Sequence, residues 1–171
     1  MSEILMAAQR GSLEQIGLAI SSGSSLADVN CDGETALALA AKHGHSQCVE
    51  ALATARGVKV VDRWGRTPLM LAAIGGHLDC VRFLLGKMEH EDVCAKDFDG
   101  RSALMLSARH GRAECAGELL HKSRLQDCDL RGLNALEIAK KLGHAQIVEI
   151  LKDGAPNVGK SDAFLASVFG R

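Results

Sequence analysis

Gly154-Ala155-Pro156-Asn157-Val158-Gly159-Lys160-Ser161 is the stretch of this 171-residue chain whose residue types and spacing come nearest to chemistry. Backbone amides of such a loop can cradle phosphates, while Lys160 would contact them and the Ser161 hydroxyl would reach Mg²⁺. That chemistry needs a strand before the loop, a helix behind it and a sheet that supplies an acidic metal ligand. Here Gln146 to Lys152 reads as a helix, and only ten residues follow Ser161. The spacing is therefore expected to be coincidental. In the alternative reading, Gly154, Gly159, Lys160 and Ser161 form a phosphate loop in a phosphate- or nucleotide-responsive protein.

The same eight residues resemble the P-loop of ATP- and GTP-binding proteins, but the room for that fold is missing. Other reactive side chains fall into no catalytic pattern. The seven histidines include no HExxH pair, and neither serines nor cysteines sit in a nucleophile motif. His43 and His110 occupy matching positions in the chain, which a repeat explains better than a shared ligand. Of six cysteines, Cys48, Cys80 and Cys115 fill one recurring slot that Ile147 takes later. A cysteine that alternates with isoleucine is a small hydrophobe. Cys31, Cys94 and Cys128 lack metal-ligand spacing, so reduced thiols are expected. No catalytic, metal or cofactor site is expected.

The elements that would position these residues repeat. Gly33-Glu34-Thr35-Ala36-Leu37, Gly65-Arg66-Thr67-Pro68-Leu69, Gly100-Arg101-Ser102-Ala103-Leu104 and Gly132-Leu133-Asn134-Ala135-Leu136 follow one another at intervals of 32, 35 and 32 residues. A period of this size belongs to a stacked repeat protein, and it points to a binding surface rather than a catalytic pocket. The clearest unit runs from Asp62 to Leu85. Asp62 to Gly65 is a turn, Thr67 caps a helix whose first turn suits Pro68, Gly76 ends it, and a second helix follows from about Leu78.

The unit resembles the ankyrin repeat, with its D-x-x-G-x-T-P-L-H-x-A-A-x-x-G-H pattern and an apolar second helix. The resemblance covers roughly residues 3–155 and implies an all-α solenoid of about five helix-turn-helix units with hairpin-like fingers. The expected units are about 1–29, 30–61, 62–96, 97–128 and 129–155, the first of them a cap without a finger. The first helix ends at Gly11, Gly44, Gly76, Gly111 and Gly143, followed by His45, His77 and His144 but by Ser12 and Arg112 in the other two units. The fourth TPLH position is Ala38, Met70, Met105 or Glu137, so the usual histidine bonds are absent and looser turns are expected. Lys140 replaces the second alanine of the pair, which would stop the array. Residues 156–171 form a tail; Ser161-Asp162 would cap a short helix whose Phe164, Leu165, Val168 and Phe169 cover the last unit.

The chain is 47% apolar, 3% aromatic and carries a formal charge of −1, which excludes a strong overall bias towards nucleic acid. Its N-terminus has no basic segment followed by an apolar run, and no stretch approaches the ~18 apolar residues of a membrane span. A monomeric intracellular protein of the cytoplasm or nucleus is expected, without membrane attachment. The resemblance implies a protein-binding module, an adaptor, scaffold or regulatory subunit, whose partner lies along the concave side. Turn-tip candidates are Cys31, Asp32 and Glu34; Arg63, Trp64 and Arg66; Phe98, Asp99 and Arg101; and Leu130, Arg131 and Leu133. Helix-end candidates include Gln9 and Arg10, Lys42 and His43, Ile74 and Gly75, Arg109 and His110, and Lys141 and Leu142. These positions carry a local balance of about +5. Trp64 and Phe98 are expected to anchor an acidic peptide or protein segment that the arginines steer.

Overall fold

The computed structural model describes residues 2–53 and 57–153. Among them run α1 (Glu3–Arg10), α2 (Leu13–Ser21), α3 (Ala36–His43), α4 (Ser46–Leu52), α5 (Pro68–Gly75), α6 (Leu78–Lys87), α7 (His90–Val93), α8 (Ala103–Arg109), α9 (Ala113–Leu120), α10 (Ala135–Leu142) and α11 (Ala145–Asp153). A 3-10 turn at Gly57–Lys59 lies between α4 and α5. The described residues contain no strand, only an isolated bridge between Val29 and Thr35.

Apart from α7, the helices form five pairs: α1/α2, α3/α4, α5/α6, α8/α9 and α10/α11. First helices pack on first helices and second on second, so the fold is two layers stacked along one direction. Position in the stack decides how each helix is buried. In α3, α5 and α8, six consecutive residues are buried, because a neighbour covers both flanks. The terminal first helices bury one face: Ile4, Leu5, Ala7 and Ala8 in α1, and Ala135, Ile138 and Ala139 in α10. Lys140, the expected stop, is exposed. In the second layer, Cys48, Cys80, Cys115 and Ile147 fill equivalent core positions, and Ile16 fills the next one with Val49, Val81 and Ala116. Burial raises the three thiols, Cys80 to about 11, so these groups are packing material rather than nucleophiles.

Local chemistry starts and stops each first helix. The Thr35, Thr67 and Ser102 hydroxyls and the Asn134 amide oxygen accept from the backbone N–H three residues on. Gly44, Gly76 and Gly143 end helices at φ near +80°, a left-handed conformation that side chains avoid. The interval of 35 residues holds the extra turn α7, which inserts Val93 into the core. Lys59 and Asp92, 2.9 Å apart, tie that turn to the preceding connection.

Asp153, the last residue of α11, directly precedes Gly154, so a helix leads into the glycine-rich segment where phosphate loops require a strand. Gly154, Gly159, Lys160, Ser161 and the tail with Phe164, Leu165, Val168 and Phe169 lie outside the described residues.

Candidate functional site

Four fingers project between the helix pairs, and one polar side chain knots each of them. Asp62 Oδ1 accepts from the Trp64 and Arg66 N–H groups at 2.9 Å, and Asp97 Oδ1 does the same for Asp99 and Arg101. Asn30 and Asp129 repeat the arrangement in the first and last fingers. Glycines at φ near +77° complete the turns. Neighbouring fingers are linked through the backbone: Arg63 N–H donates to Asp32, Phe98 to Trp64 and Leu130 to Asp99, each at 2.9–3.0 Å. The looseness expected from the missing TPLH histidines is thus offset by other bonds. In the last unit Glu137 also reaches back to the Asn134 N–H, closing a capping box.

A second set of bonds clasps each first helix to the next unit. The Nε2 atoms of His45, His77 and His144 lie 3.0–3.2 Å from the carbonyl oxygens of Gln9, Lys42 and Arg109. A carbonyl only accepts, so each Nε2 carries the proton. Arg112 replaces the histidine in the fourth unit and does its work, donating Nε–H to the Ile74 carbonyl at 3.0 Å. The helix-ending glycines are required here on a second count. A Cβ on Gly11 or Gly44 would lie 2.4 Å from the ring of His45 or His77.

The expected basic surface is only partly free, which corrects the simple charge count. Arg66 pairs with Asp62 and Arg101 with Asp97, both through two nitrogens, and both carboxylates are fully buried. These aspartates knot the fingers and were not among the counted positions. Lys42 pairs at 2.6 Å with the buried Glu34, and Arg63 with Asp32 at 3.2 Å. Among the described residues, Arg10, Arg109, Arg131 and Lys141 make no ion pair.

The aromatic candidates are placed differently from each other. The Trp64 ring contacts both arginines of its own finger, with the guanidinium carbons of Arg66 and Arg63 at 4.4 and 5.2 Å from its centroid. It is 43% exposed. Phe98 is equivalent to Arg63 rather than Trp64, and its ring covers Gly65, where a Cβ would come within 2.7 Å. It remains 70% exposed. Leu130 takes the same place one finger later, over Gly100, and is 77% exposed. Trp64, Phe98 and Leu130 thus form an apolar step on three consecutive tips. The anchor pair expected from aromatic type omits Leu130; its equivalence to Phe98, one residue after the knotting aspartate, is the signal that finds it.

At the helix ends, Lys42, His43, Arg109 and His110 are exposed. Partial desolvation is the largest effect on both histidines and lowers them from the ordinary value. Lys42, His45 and His77 add to this at His43, with Glu34 opposing; Arg109, Arg112, Arg101 and His144 add to it at His110. Fingers and helix ends therefore share one electrostatic environment. A separate groove of about 500 Å³ lies between α1 and α2, where Met6 and Leu18 are exposed beside Arg10. It touches the candidate surface only at Arg10. No group of three or more metal-ligating side chains gathers among the described residues. No helix among them is long and apolar enough to cross a membrane.

The family model for ankyrin repeats (3 copies) matches residues 4–97 and 87–162. A search of curated proteins found no match. Ankyrin repeats are in general modules for binding other proteins. With the matched residues spanning most of the sequence and the knotted fingers and clasped helix pairs on the same register, this chain belongs to the ankyrin-repeat family.

Proposed function

We propose that this chain is a non-enzymatic binding module, an adaptor, scaffold or regulatory subunit, that holds a segment of another protein across its finger tips and first-helix ends. Trp64, Phe98 and Leu130 supply the apolar contact. Arg109 and Arg131 supply positive charge, and His110, Arg63, Arg66, Arg101, Lys42 and His43 frame the surface. One observation carries the reading: large apolar side chains stand exposed on consecutive tips whose backbones are already fixed by hydrogen bonds. A rigid, exposed apolar row loses little conformational entropy on binding, and such residues dominate interface energies.

The test is selection of peptides from a displayed random library, followed by affinity measurement on Trp64→Ala/Phe98→Ala/Leu130→Ala. Loss of about 2 kcal/mol per anchor would weaken binding by about 10⁴-fold for the triple variant, with helical content retained. Unchanged affinity in a folded triple variant would reject the surface.

A further inference from the structure

The first-helix ends are not equivalent towards an anion. At the fourth unit, the charges that act on His110 come from Arg109 beside it, Arg112 at the start of α9, Arg101 of the finger and His144 of the last unit. The carboxylates on this cluster, Asp97 and Asp99, are both engaged with Arg101. At the second unit the matching residues are Lys42, His45, Glu34 and His77 around His43. There a buried carboxylate stands where Arg101 stands in the fourth, and it takes Lys42 for itself.

A helix C-terminus ordinarily repels anions through its free carbonyls. Here that objection is met by donors. The Arg109 carbonyl lies against His144 Nε2, the Leu106 carbonyl accepts from the His110 N–H, and the Ser107 carbonyl accepts from the Arg112 N–H. Arg109 makes no ion pair among the described residues and is exposed.

We infer that the Arg109–His110 end of α8 is the seat for an acidic side chain of the bound segment, whose apolar neighbour packs on Phe98 and Leu130. This rests on the protein-binding reading above and adds its polarity: the acidic part lies at the fourth unit, not the second. Occupation of the seat brings a carboxylate to His110 and draws a proton onto its ring.

The experiment follows the imidazole signals of the full chain by NMR between pH 5 and 8, with and without hexaglutamate at low ionic strength. At saturation the His110 midpoint is expected to rise by up to about one unit, while His43 stays in place as the internal control. Arg109→Ala should weaken hexaglutamate binding, and Arg109→Lys should retain most of it. Equal movement of both histidines, movement of neither, or the same response to equimolar inorganic phosphate would overturn the seat. An unaffected Arg109→Ala would do so too. Failure here alongside peptides that still depend on the three tips would sink only the seat. Selected peptides indifferent to the tips would sink the surface itself.

Discussion

The second and fourth units carry the same helix end written with opposite electrostatic outcomes. Lys42 matches Arg109, His43 matches His110, His45 matches Arg112 and His77 matches His144. The decisive difference is one finger residue, Glu34 against Arg101. Glu34 is buried, accepts from Asn30 and Lys42, and neutralises its helix end from within. Arg101 is taken by Asp97 and Asp99, which leaves Arg109 without a partner carboxylate. A basic residue at a recurring surface position therefore says little until the finger beneath it is known.

The largest expected effect comes from reversing that finger residue. Arg101→Glu would set a second carboxylate against the fully buried Asp97 and cost about 3 kcal/mol, read as a lower urea midpoint. Glu34→Gln, which strands Lys42 but keeps a polar partner for Asn30, should cost about 1–2 kcal/mol. Equal losses would show that the two pairs are interchangeable and erase the contrast.

Next come the clasps. Gly44 and Gly111 both end first helices at positive φ, but a Cβ would meet the His77 ring at 2.4 Å in the first case and His144 at 3.0 Å in the second. Gly44→Ala should therefore destabilise the protein by about 2–3 kcal/mol and Gly111→Ala by about 1–2. Thermal or urea unfolding that ranks them the other way would refute the tighter packing at the second unit. Glu34→Gln has another, smaller consequence. With Lys42 released, the His43 signal should begin to respond to hexaglutamate; continued silence would mean that Glu34 is not what masks this end.

The smallest effect is in pH. Both histidines titrate below their ordinary value of 6.5. As pH falls through about 6.5, the unfolded chain takes up protons first, so stability drops and then levels off once the folded protein protonates as well. His110→Gln should reduce the difference in urea midpoint between pH 7.5 and 5.5. An unchanged difference would remove His110 from the account.

Much of this architecture could be read in the residues because a period repeats its own evidence. The helix caps at Thr35, Thr67, Ser102 and Asn134, the glycine stops and the cysteine slot each recur in register, so one copy checks another. What could not be read depends on contacts between copies. Arg66 and Arg101 count as surface charge until Asp62 and Asp97 are seen to hold them. Arg112 looks like a departure from the histidine pattern, yet its guanidinium reaches the Ile74 carbonyl that a shorter imidazole would otherwise serve. Leu130 has no chemical distinction in the sequence; its exposure follows from lying over Gly100, where no side chain can rise to cover it.

The clasps also bear on how this molecule could change in length. Each joins one unit to its immediate predecessor, at Gln9, Lys42, Ile74 and Arg109, and none spans two seams. Every seam carries its own closure, so a whole unit can be inserted or deleted without rewriting those beyond it. Growth by duplication is written into the joints.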